Sequence, residues 1–195
     1  MTRFRPIPTL LVALAVATMI ALGLWQLLDR LPRKEAFLAQ LESNPTKSPI
    51  GFPRLPDDRL LFRQSAGDCL PPVAVRLAGA GKAGFRAIAD CSNGMTVQLG
   101  TTRDPKAMVT YAGGLVTGYI GHAPDGRSLI GAALSPQQPR LMLVATPPLA
   151  GLQANAPPDI ASVPNNHIAY AGQWFFFAAI AAIIYVLAAR RRNDR

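Results

Sequence analysis

The 195 residues are 50% hydrophobic and only 16% charged, with a formal net charge of +9. Soluble domains carry nearer a quarter charged residues, so part of the apolar content is expected to face lipid. The basic excess does not point to nucleic acid. Six of the twenty basic residues (Arg3, Arg5, Arg190, Arg191, Arg192 and Arg195) lie in two short tails beside a single acid, Asp194, which leaves +4 for the stretch between them. That stretch has no basic stripe interleaved with aromatic side chains.

In chain order, residues 1–6 form a basic tail, and Ile7 to Leu28 is an uncharged apolar run with Gln26 its one strongly polar side chain. As a helix the run spans about 33 Å, against a hydrocarbon core of about 30 Å. A second uncharged run covers residues 169–189, followed by a basic tail at 190–195. Both runs are apolar all round, unlike a core helix with one apolar stripe. Each also carries a tryptophan, Trp25 or Trp174, at the end nearer the middle of the chain, where headgroups favour such rings. Arginines outside both runs place both termini in the cytoplasm and the middle across the membrane. Arg30, Arg33 and Lys34 oppose this locally, but they begin a long translocated region where charge counts little. A cleaved signal peptide over residues 1–28 is the alternative. Its apolar core would exceed the usual length, and no A-x-A site precedes Asp29.

Between the spans, residues 29–168 are expected to form one extracytoplasmic domain. Arg30–Leu41 reads as a short helix entered through Pro32, and the four prolines between Asn44 and Pro56 make a connector. The period then changes to two. Candidate strands are Leu60–Arg63, Val73–Leu77, Phe85–Ala89, Met95–Leu99, Met108–Tyr111, Leu115–Ile120, Leu129–Leu134 and Leu141–Ala145. They are separated by turn clusters such as Ser92-Asn93-Gly94 and Pro124-Asp125-Gly126. The expected fold is therefore an α+β membrane protein: two transmembrane helices flank an antiparallel β-rich domain, barrel- or sandwich-like, with a short helix after the first span.

Cys69 and Cys91 are the only cysteines. They fall at the edges of successive strands, so a hairpin could bring them together as a disulfide closing a loop of about 23 residues. A metal site or two unrelated thiols are the alternatives. No nucleophile elbow, P-loop, zinc spacing or carboxylate pair occurs, so an enzyme is not expected. Gly79–Gly84 imitates a phosphate loop but precedes a strand, and His122 reads as an exposed side chain.

At the second span, Asn166 is a plausible N-cap for a helix on which His167, Tyr170 and Trp174 stand at i, i+3 and i+7. An imidazole beside an aromatic strip at the lipid boundary suits either a haem-iron ligand or an interfacial anchor.

The run PNNHIAYAGQWFFFAAIAAIIYVLAARRR resembles the C-terminal signature of the surfeit locus protein 1 family of cytochrome c oxidase assembly factors. LGLWQLLDRLPRKEAFLAQL resembles its element after the first helix, with one residue more between Gln26 and Arg30 than the family pattern. Gly151-Leu152-Gln153 resembles the family's approach to the second helix. The likeness covers about a third of the chain. It departs in the middle, where Gly94–Gly100 stands in place of an Asn-Arg-Gly-Trp element. The resemblance implies a bacterial inner-membrane protein with a periplasmic domain that assists haem a delivery to oxidase subunit I. Its partners would be subunit I, haem A synthase and membrane lipid. It further implies His167 as axial ligand of the haem iron, with Tyr170 and Trp174 packing on the macrocycle and Trp25 and Gln26 facing them. A scaffold that stabilises subunit I without binding haem is the alternative.

Overall fold

The structure, a computed structural model, describes residues 6–193 except 126, 128 and 136. The tail residues Arg3, Arg5, Asp194 and Arg195 and the turn residue Gly126 lie outside the described residues. The chain divides into two compact units. One comprises the N-terminal part through Leu38 with the C-terminal part from Ala161, and the other runs Ala39–Ile160.

The first unit is helical. Helix α1 (Pro6–Trp25) passes through a π turn, Gln26–Arg30, into α2 (Leu31–Ser43) with no break. The sequence had suggested a separate short helix here. Continuity survives Pro32 because the wider π turn precedes it: the Leu31 amide donates to the Gln26 carbonyl, five residues back. An inserted residue of this kind relieves the clash between a proline ring and the preceding turn, and Pro32 has no amide proton to leave unpaired. Helix α4 (His167–Asn193) packs against α1, and its first turn is closed by the Tyr170 amide donating to the Asn166 carbonyl. Both helical stretches, Pro6–Thr46 and Ile160–Arg191, are long and apolar enough to cross a membrane.

The second unit is built on seven strands: β1 (Ile50–Gly51), β2 (Gln64–Cys69), β3 (Val73–Gly79), β4 (Phe85–Cys91), β5 (Thr96–Thr102), β6 (Gly114–His122) and β7 (Leu141–Ala145). Their order is β1-β2-β6-β7-β5-β4-β3. The sheet is mixed rather than antiparallel, because β1 runs parallel to β2 and β5 parallel to β7. Every residue of β7 is buried, which explains its unbroken LMLVA run: a central strand covered on both faces has no polar side to alternate.

Three expected strands are absent. Leu60–Arg63 overlaps a 3-10 turn, Asp58–Leu60, which the Asp57 side chain caps by accepting from the Arg59 amide. Met108–Tyr111 forms no strand; its alternation reflects Val109 and Tyr111 packing on the core. Leu129–Leu134 is a short helix, α3, since a six-residue apolar run without polar alternation fits either structure.

The sheet is rolled. Cys69 closes β2 and Cys91 closes β4, with β6, β7 and β5 between them in the order. In a flat sheet four strand spacings would separate them by about 19 Å. Their Cα atoms are 5.3 Å apart and their sulfurs bonded. Beside the bridge, the Ser92 hydroxyl donates to the Leu70 and Pro71 carbonyls, and the Asn93 amide donates to the Asp68 carbonyl. The roll encloses Cys69, Ala87, Ala89, Val97, Leu99, Val116 and Leu143. It is not a barrel closed by a continuous ladder, because β1 and β3 end the order without pairing to each other. A register shift where β4 meets β5 at Ala87/Ile88 increases local twist, as bulges do.

Candidate functional site

Of the residues singled out at the membrane boundary, the structure joins two. His167 opens α4, and its Nδ1 lies 2.7 Å from Oε1 of Gln26, the first residue of the π turn. The pair is half-buried. At the opposite end of the same two helices the Thr9 and Tyr185 hydroxyls are hydrogen-bonded. Between these ties the packing is close: Gly23 and Ala171 are buried, and a Cβ built at Gly23 would stand 2.7 Å from the Phe175 ring. Glycine at this position lets α1 and α4 approach, the usual role of small residues between apolar helices. Gly23→Leu is expected to overpack this face at a cost of about 1–3 kcal/mol. Thermal unfolding in detergent checks it, and an unchanged midpoint would mean that the two helices do not pack here.

The aromatic residues are arranged more openly. Trp25 is 46% exposed and Tyr170 48% exposed, while Trp174 is half-buried. The Arg30 guanidinium lies 5.1 Å from the Trp25 ring centroid, a cation–π contact. Asp29 pairs with Arg33 at 2.5 Å. Among the described residues, His167 makes no hydrogen bond or ring contact with Trp25, Tyr170 or Trp174. No group of three or more His, Cys, Asp or Glu able to hold a metal ion occurs there either. What His167 offers is therefore a single nitrogen ligand with aromatic surface nearby. That suits one axial position of a haem iron better than a tetrahedral ion needing three or four protein ligands.

Sequence reasoning missed a cavity of about 530 Å³ in the sheet unit. Its floor is formed by β2 and β6 through Ala66 and Thr117, and its walls by Pro45, Pro49, Phe62, Tyr119, Pro157 and Pro158. The stretch carrying Pro157 is fixed because the Asn155 amide donates to the Ala145 and Gln98 carbonyls while its Oδ1 accepts from Gln98. Tyr119 donates to the Ala156 carbonyl, and burial pushes its phenol above the ordinary range against the opposing charge of Arg86. Among the described residues no charged side chain lines the cavity. The Ser65 hydroxyl in β2 is buried, with no hydrogen-bond partner among the described residues. Pro45 and Pro49 at one margin read in the sequence as part of a connector. His122, expected to be an exposed side chain, is exposed, and its Nε2 lies 2.9 Å from Asp58 of the 3-10 turn, which ties the end of β6 to that turn.

Searches against family models, curated proteins and solved structures find no match to this chain.

Proposed function

We propose that this chain is a membrane-anchored assembly factor of haem-copper cytochrome c oxidase, holding haem a at one end of its helix pair for delivery to subunit I. The observation that carries the reading is the His167–Gln26 contact. It places an imidazole on the first turn of one membrane-length helix and fixes it from the other. The likeness of the NNH and LGLWQ segments to oxidase assembly factors points the same way. His167 is the residue that would hold the iron, and Tyr170, Trp174 and Trp25 supply flat apolar surface for the ring. Haem a, when bound, would supply an iron that takes a neutral imidazole nitrogen as ligand. A single protein ligand is one bond to exchange on delivery rather than two, which suits a carrier. Both helices lie in the bacterial inner membrane, with Arg190 and Arg191 on the cytoplasmic side and the sheet unit in the periplasm. The Cys69–Cys91 bridge is consistent with that oxidising compartment.

The test is co-expression with haem A-synthesising enzymes and purification in detergent. The wild type is expected to carry a haem a absorbance band, and His167→Ala to lose it by about tenfold or more, since even outer-shell partners of a metal ligand act on that scale. Full loading of His167→Ala would remove the ligand assignment. Wild-type protein that brings down subunit I with no haem band would leave the scaffold reading in its place.

A further inference from the structure

We infer that Gln26 is a positioning residue that holds His167 in one tautomer, with the proton on Nδ1 and the lone pair on Nε2. The glutamine faces His167 with its Oε1, which only accepts, so at 2.7 Å this arrangement puts the donating proton on His167 Nδ1. A neutral imidazole has one N–H, and with Nδ1 occupied the other nitrogen is the ligating atom. Among the described residues Nε2 has no hydrogen-bond partner. The ring thus has one donor nitrogen, one orientation and no tautomeric search before binding. Metal-ligating histidines are commonly prepared in this way, through a partner on the second nitrogen.

The backbone explains why Gln26 can serve. It begins the π turn, and its carbonyl is taken by the Leu31 amide. Gly23, three residues earlier and on the same side of α1, is in contact with Phe175 of α4. The π turn therefore begins where α1 is still packed against α4. A wholly structural hydrogen bond would need only the two helices to be tied; a tautomer-setting one requires an acceptor at this position.

The ligand in this inference rests on the haem reading, but the tautomer does not, and the two are measured separately. The chain has only two histidines, so side-chain ¹⁵N spectra of the haem-free, full-length protein in nanodiscs are readily assigned with a His122→Asn control. The wild type is expected to show His167 almost wholly as the Nδ1–H form. Gln26→Leu should give a mixture of tautomers, whereas Gln26→Glu, still an acceptor, should keep the proton on Nδ1. In titrations with haemin, Gln26→Leu should bind about 10–100-fold more weakly and Gln26→Glu near normally. An Nε2–H form in the wild type, or an unchanged spectrum in Gln26→Leu, overturns the inference. The expected spectra with no haemin binding by any variant would support Gln26 as the tautomer-setting residue and sink the haem reading instead.

Discussion

Gly118→Ala is expected to open the sheet at its centre. A Cβ at this position would lie 1.9 Å from the Val144 carbonyl oxygen and 2.8 Å from its carbon, with the Ala145 Cα at 3.1 Å. All three are backbone atoms of β7, so no side chain can swing aside, and relief requires β6 and β7 to part. Those strands are paired from Gly118 to His122, and β6 also carries β2. The cost should reach at least about 3 kcal/mol, the upper part of the range for overpacking. Gly121→Ala is the natural comparison, because its Cβ would meet only a methyl of Val144 at 3.1 Å. Denaturant unfolding of the full chain in detergent should show a large loss for the first and a small one for the second. Equal midpoints would contradict the β6–β7 register.

Removing the bridge should have the next largest effect. Cys69 and Cys91 are 22 positions apart. Closing a loop of that size lowers the entropy of the unfolded chain by an amount worth about 3 kcal/mol. The double variant Cys69→Ser/Cys91→Ser should lose about that much stability. The wild type should lose a similar amount on reduction with dithiothreitol, while the double variant should be indifferent to it. A wild-type unfolding curve insensitive to reductant would mean that the bond is absent or contributes nothing. The hydrogen bonds of Ser92 and Asn93 across the same seam would persist, so the expected result is a weakened roll rather than an unfolded unit.

The existence of two long apolar helices was legible, because some twenty uncharged apolar residues in a row form such a helix. The end of the first was not, since it runs on through the π turn to Ser43. The strands Val73–Gly79, Phe85–Cys91 and Leu141–Ala145 were legible for a different reason: β-branched and apolar runs there are bounded by turn residues. Register was not. Nothing local tells β7 to run parallel to β5 or to sit between β5 and β6, since pairing partners are chosen by the whole roll. Leu129–Leu134 failed because a short apolar run is compatible with two periods, and Pro32 misled because a π turn gives proline a place inside a helix. At the candidate site, helical spacing alone put His167, Tyr170 and Trp174 on one side, and only the family likeness suggested that Gln26 faces them. The π turn and the hydrogen bond it presents depend on how two distant helices meet, which no window of sequence contains.

The bridge is long-range in the sheet yet short-range along the chain. The loop it closes contains only β3 and β4, and their hairpin sets Val73 opposite Cys91, four residues after Cys69. A chain emerging from its N-terminus can therefore join the two sulfurs before β6 and β7 have been synthesised. In that order of events the curvature of the sheet is set in advance by a covalent clasp, and β5, β6 and β7 are fitted later between the two strands it joins.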